Sequence, residues 1–129
     1  MSDHPNVAVL KGAYERFAAG DIPGVMEALD PAISWHVPEV VPHGGAFEGH
    51  DGVGAFFSGI AATWDGLAVE VDAVLAESDR VAVIGRASGR LRSAGEDVGY
   101  GFVHAWTMRD GRAVRFEEYV DPAGLLAVA

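Results

Sequence analysis

The stretch AVRFEEYVD, residues 113–121, places Glu117 and Glu118 side by side in what reads as a β-strand. Neighbouring side chains in a strand point to opposite faces. Glu117 falls with Arg115 and Tyr119, a row suited to solvent. Glu118 falls with Val114, Phe116 and Val120, and is the one ionisable group in an apolar row. The preceding strand, GYGFVHAWTMR, repeats the pattern: Tyr100, Phe102, His104, Trp106 and Met108 share a face, with His104 among aromatics. A carboxylate and an imidazole in an apolar setting are the minimum for general acid–base chemistry near neutral pH. Desolvation raises the carboxyl pKa, and a protonated histidine lowers it again. A satisfied buried pair with no turnover is the structural alternative.

Whether the two meet depends on register. Asp110-Gly111 is a strong two-residue hairpin signal between the strands. A regular pairing across it sets His104 opposite Glu117. A one-residue bulge brings His104 and Glu118 together on one face.

The remaining chain must build the wall around this pair. Pro5 lies near the start of a first helix, with Asp3 as its cap. Its apolar stripe is Val7, Leu10, Tyr14, Phe17 and Ala18. Gly20 ends it, and Asp21 opens a short second helix through Val25, Met26 and Leu29. ISWHV is a first strand, with Ile33, Trp35 and Val37 on one face and Ser34 and His36 on the other. PEVVPHGGAFEGH reads as a loop, and Asp51 opens a third helix carrying Val53, Phe56, Phe57 and Ile60. After Gly66 come four strands joined by short turns, hence antiparallel neighbours. AGLLAVA is a short apolar tail that covers the chain's own cavity or completes a partner subunit. The expected class is α+β: a curved, mostly antiparallel sheet wrapped round three N-terminal helices, in one domain spanning 1–129, with an internal pocket suited to a small molecule.

Composition removes several functions. The chain has 129 residues, half of them hydrophobic, and no cysteine. Thiolate chemistry and disulfides are therefore out. Nineteen acids against nine bases give a net charge of −10, which disfavours nucleic acid and anionic membranes as partners. Arg86, Arg90 and Arg92 alternate with Ser88 and read as a polar outer face, not a phosphate site. No apolar run approaches the roughly 20 residues that span a bilayer. MSDHPNVAVLKG lacks the form of a signal peptide, so a cytoplasmic location is expected. His36, His43 and His50 are evenly spaced, but that spacing matches no familiar zinc pattern, so no metal and no cofactor are expected. His43, Glu39 and Phe47 are assigned to the cavity mouth. Nucleophile elbows, Walker loops and dinucleotide fingerprints are missing.

Three stretches, YERFAAGDIPGVMEALDPAISWHVPE, FEGHDGVGAFF and MRDGRAVRFEEYVDPAGL, together resemble the SnoaL-like proteins of the nuclear transport factor two-like superfamily, which includes ketosteroid isomerases and polyketide cyclases. The resemblance runs over nearly the whole chain. It implies a cone-shaped α+β barrel with an open pocket, commonly a homodimer through the outer sheet face. The isomerase residues do not carry over: the base position falls on Val37, the tyrosine position on Ala13 beside Tyr14, and the neutral-acid position on His104. The polyketide cyclase pattern fits better, its histidine falling on His104 and its carboxylate on Glu118. Glu in place of Asp moves the carboxylate by about 1.5 Å. The implied activity is cofactor-independent cyclase, isomerase or lyase chemistry on a small apolar carbonyl compound. His104 and Glu118 are its catalytic pair, and Trp35, Val37, Phe102, Trp106, Tyr14 and Phe57 bind substrate. The alternative is a non-catalytic ligand-binding or accessory dimeric module of the same fold.

Overall fold

The computed structural model describes residues 4–127. Helix α1 spans Pro5–Ala18 and α2 spans Ile22–Met26. The cap of α1 is His4, whose Nδ1 accepts from the Asn6 amide at 3.2 Å. The expected cap, Asp3, lies outside the described residues. The end of α1 follows its sequence signal. Gly20 takes φ +76°, and the Asp21 amide reaches back to the Arg16 carbonyl at 2.8 Å. Asp21 then caps α2 through the Gly24 amide.

Strand β1 (Leu29–Val37) is followed by β2 (Gly45–Glu48), α3 (Gly49–Thr63), β3 (Trp64–Glu77), β4 (Arg80–Leu91), β5 (Glu96–Arg109), β6 (Arg112–Val120) and the short α4 (Ala123–Leu126). Four boundaries differ from expectation. Helix α2 ends at Met26, and Leu29, expected in that helix, is the first residue of β1, four residues ahead of the expected ISWHV. The Pro- and Gly-rich loop contains β2, which pairs antiparallel with β1. A four-residue edge strand is too short to announce itself by alternation. Helix α3 begins at Gly49, with Asp51 in its first turn rather than at its cap. Strand β3 begins at Trp64, ahead of Gly66.

The six strands form one curved, unclosed sheet in the order β2-β1-β6-β5-β4-β3. Every neighbouring pair is antiparallel except β1 with β6, which is parallel. Register shifts interrupt the β1–β6, β3–β4 and β5–β6 ladders. Such irregularities bend strands, and here they turn the sheet round the helices. The core lies between the concave face and the helices, and includes Leu10 of α1, Val53 of α3, and Ile33, Trp64, Val81, Val83 and Met108 of the sheet. Ile84, Arg86, Ser88 and Arg90 of β4 are exposed on the other face, as the alternation required. Arg92 lies past the end of β4, where its Nε–H donates to the Ala61 carbonyl. In the tail, Leu125 is buried on its own chain and Leu126 is exposed. Gly124 allows this docking, since a Cβ there would stand 2.1 Å from the Gly99 carbonyl oxygen. Val128 lies outside the described residues.

The hairpin that sets the site has a tight turn, with Asp110 at φ 52° and Gly111 at φ 79°. Beyond it Arg109 pairs with Arg112 and Met108 with Ala113, but Thr107 pairs with Arg115. Val114 is thus an extra residue on β6. The inward positions before and after it are Ala113 and Phe116, so Val114 does not share the Phe116 face as strict alternation implied. Past the bulge, His104 stands directly opposite Glu118.

Candidate active site

A cavity of about 80 Å³ opens between the helices and the concave face of the sheet. Trp35, Phe102, Trp106, Tyr14 and Phe57 line it, as expected, together with His104 and Glu118. Val37 does not. It is fully buried in the core at the end of β1, beside the turn that begins at Pro38. The residues expected at the mouth also separate. Glu39 is exposed and Phe47 packs edge-on against Phe56, and neither lines the cavity. The partly exposed lining residues are Tyr14, Phe17, Phe57, Ile60, Leu67 and Val69, from α1, α3 and β3, and these form the mouth.

Inside, one chain of hydrogen bonds crosses the cavity wall. Trp106 Nε1–H donates to Tyr14 Oη at 3.0 Å. Tyr14 Oη lies 2.6 Å from His104 Nδ1. His104 Nε2 lies 2.7 Å from Glu118 Oε2. The carboxylate end sets the direction of the chain, because an ionised Glu118 can only accept and a neutral His104 then has its proton on Nε2. Tyr14 oxygen accepts from Trp106, and with the neutral His104 proton on Nε2 the Tyr14 proton goes to Nδ1. His104 then donates from Nε2 to the Glu118 carboxylate. Burial raises the Tyr14 pKa, and the Glu118 charge raises it further against the smaller effect of Trp106, so the phenol keeps its proton. The imidazole is clamped as well as bonded. Phe102 stacks on it with centroids 3.9 Å apart, and Phe116 meets it edge-on at 4.8 Å.

Two buried polar atoms among the described residues have no partner: Glu118 Oε1 and Trp35 Nε1. Buried groups of this kind are uncommon and carry a cost of about 1–3 kcal/mol each. Glu118 therefore has one oxygen held by the protein and one left over.

The three spaced histidines part company. His36 is exposed, opposite Glu117 on the neighbouring strand. His50 bonds the Leu29 carbonyl through Nε2 at 2.8 Å. His43 is buried in the cavity wall, where its Nδ1 accepts from Trp64 Nε1–H at 2.8 Å. Burial lowers its pKa to about 4, a shift the Glu118 charge partly opposes. Burial and then the Glu118 charge raise the Tyr100 pKa. One carboxylate is thus felt by three ionisable groups of the same cavity.

A family model for the SnoaL-like domain matches residues 10–116. The chain belongs to the SnoaL-like family. Among solved structures, this SnoaL-like domain is 30% identical to an NTF2-like protein of unknown function from Burkholderia pseudomallei, with 98% of each chain covered and a TM-score of 0.89. It is 29% identical to TerC, whose structure was determined after co-crystallisation with polyporic acid, covering 97% of this chain and 98% of that one at a TM-score of 0.87. A Jannaschia protein provisionally described as a SnoaL-like polyketide cyclase is 20% identical over 99% and 96% of the two chains, with a TM-score of 0.84, a likeness of fold. Among curated proteins none matches.

Sequence reasoning found the His104 and Glu118 strands and left the bulge that joins them as one of two registers. It expected Tyr14 in the pocket, and the neighbouring Ala13 lines the cavity as well. It missed the Tyr14–His104 bond, which links residues 90 apart in sequence. It also placed His43 at a rim, because a loop of Pro and Gly gives no sign that its histidine turns inward.

Proposed function

We propose that this SnoaL-like domain is a cofactor-independent acid–base enzyme acting on a small apolar carbonyl compound, in a cyclase, isomerase or lyase type of reaction. Glu118 is the base. The observation that carries the reading is its unpartnered Oε1, in a cavity lined mostly by apolar and aromatic side chains, while Oε2 is held by His104. A carboxylate fixed through one oxygen has the other available to take the proton from a carbon next to a carbonyl. The C–H electron pair then moves into the C–C bond, and the carbonyl oxygen takes the charge. Both nitrogens of His104, the other member of the expected catalytic pair, are occupied and leave none to polarise that oxygen. In this reading it is a positioning residue that orients Glu118, and Tyr14 in turn holds its ring. The co-crystallisation of TerC with polyporic acid supports a small-molecule role for the cavity. At about 80 Å³ the enclosed space is below the roughly 150 Å³ that accepts benzene. A ring therefore enters by displacing the side chains at the mouth.

The test is proton exchange in D₂O with acetophenone as a probe. Wild type incorporates deuterium at the methyl carbon, and Glu118→Gln slows this at least about tenfold while binding the probe with similar affinity. Equal exchange in both proteins ends the catalytic reading. The second reading, a non-catalytic ligand-binding module, draws on the same hydrogen-bond chain, since a network satisfied internally also serves as structure. Binding that survives Glu118→Gln with no exchange in either protein supports it.

We further propose a homodimer through the outer face of the sheet. Leu75, Ile84 and Tyr119 are exposed there. Sedimentation at micromolar concentration distinguishes dimer from monomer.

A further inference from the structure

Deprotonation beside a carbonyl puts charge on its oxygen, and that charge needs a donor in the cavity. His104 supplies none while Tyr14 and Glu118 occupy its ring. The geometry points to His43 as the group that binds this oxygen: Trp64 locks its ring with the proton on Nε2, and among the described residues no acceptor takes that N–H although the ring lines the cavity. The inference rests on the acid–base reading and names the part of the ligand that the second pole of the cavity holds: a carbonyl or phenolic oxygen on an otherwise apolar body.

Three observations carry it. First, the indole of Trp64 can only donate, so His43 Nδ1, 2.8 Å from Trp64 Nε1, is an unprotonated acceptor. A neutral imidazole then has its single proton on Nε2. Among the described residues no acceptor takes that proton, although His43 lines the cavity. Second, the ring is fixed before any ligand arrives. Phe56 and Trp64 meet it edge-on, with centroids 5.4 and 6.1 Å away. Its loop is drawn tight by the Val41 amide on the Pro38 carbonyl and the Gly44 amide on the Val41 carbonyl. A Cβ at Gly44 would stand 2.1 Å from the Pro38 oxygen, so the turn admits only glycine. Third, His43 and Glu118 line one cavity and interact electrostatically, so base and donor act on one small molecule. Burial keeps the ring uncharged at working pH. It therefore binds a neutral carbonyl oxygen through a hydrogen bond and gains strength as charge develops there.

Two other donors line the same space. Among the described residues neither Trp35 Nε1–H nor the Tyr100 hydroxyl has a partner that holds it in place as Trp64 holds His43. Loss of the donor leaves a ligand carbonyl desolvated and unpaired, whereas a hydrocarbon of the same shape is indifferent.

The experiment compares acetophenone with ethylbenzene by NMR titration of wild type, His43→Leu, His43→Asn and Tyr100→Phe. Wild type prefers the ketone. His43→Leu lowers the ketone-to-hydrocarbon ratio about fivefold, and His43→Asn, which still accepts from Trp64 and donates to the ligand, restores most of it. In wild type the imidazole ¹⁵N spectrum shows Nδ1 unprotonated, and the Nε2–H signal moves with acetophenone and not with ethylbenzene. That measurement stands even if His43→Leu does not fold. Overturning results are no ketone preference in wild type, an Nδ1-protonated ring, an unchanged ratio in His43→Leu, or loss of the preference in Tyr100→Phe instead. Because the ratio needs no turnover, it reads His43 independently of whether Glu118 exchanges a proton.

Discussion

Glu117 and Glu118 are neighbours on one strand and share nothing else. Glu117 lies on the outer face, where Arg115 Nε–H donates to it at 3.0 Å and the Tyr119 hydroxyl at 3.2 Å. The Arg115 bond holds its carboxyl below the ordinary range. Glu118 is 7% exposed, faces aromatic rings and has His104 as its one partner. Identical side chains 1 residue apart are thus a solvated ion pair and a candidate base. The difference is made by the pleat, and by the bulge at Val114 that decides which of the two meets His104. Chemistry is assigned to a face of the sheet before it is assigned to a residue type.

Breaking the partner of each glutamate separates the two most sharply. His104→Ala leaves the Tyr14 hydroxyl proton without its acceptor and a buried carboxylate unpaired, and is expected to cost about 3–5 kcal/mol of stability in urea unfolding. Arg115→Ala removes only the exposed partner of Glu117 and costs under about 1 kcal/mol.

The next contrast is in pH. His43 is neutral in the folded protein down to about pH 4 and titrates near 6.5 when unfolded. Between those values the unfolded chain binds more protons, so stability is full above pH 6.5 and falls by about 3 kcal/mol as pH drops to about 4. His43→Asn removes this limb. The Glu117 contribution is present above its unfolded pKa and fades only as pH falls below about 4.5. It therefore survives in that variant as a separate, more acidic limb.

Tyr14→Phe is the smallest of the buried changes. It removes the acceptor of Trp106 Nε1–H and the donor to His104 Nδ1, with an expected loss of about 1–3 kcal/mol. If the phenol fixes the His104 tautomer, the imidazole ¹⁵N pattern of His104 also changes. A variant with the wild-type pattern places the proton by other means.

The strands of the site were legible because their rows are long and one polar residue in each interrupts an aromatic series. Asp110-Gly111 announced the turn. The bulge was foreseeable only as one of two registers, since Ala113 and Val114 are both small apolar residues and either could face inward. Val37 looked like pocket because it follows Trp35 at strand spacing, but a strand leaves a cavity as readily as it enters one. Strand β2 and the inward turn of His43 depend on close backbone packing at Gly44, and glycine marks freedom without marking direction. Tyr14 was visible as part of a helical stripe. Its bond to His104 is a product of how the sheet curves over α1.

The place of β6 in the sheet also governs how the molecule comes into being. It lies between β1 and β5 and is the sole link between the β2–β1 pair and the β5–β4–β3 meander. During synthesis, β1 emerges some 80 residues before the strand that will cover its free edge. At about 5–20 residues per second that is a wait of several seconds with an open hydrogen-bonding edge and an unfilled core. A longer interval, about 100 residues, separates Tyr14 from Glu118, so a nascent chain cannot bring the two together until β6 has left the ribosome and slid into the middle of the sheet.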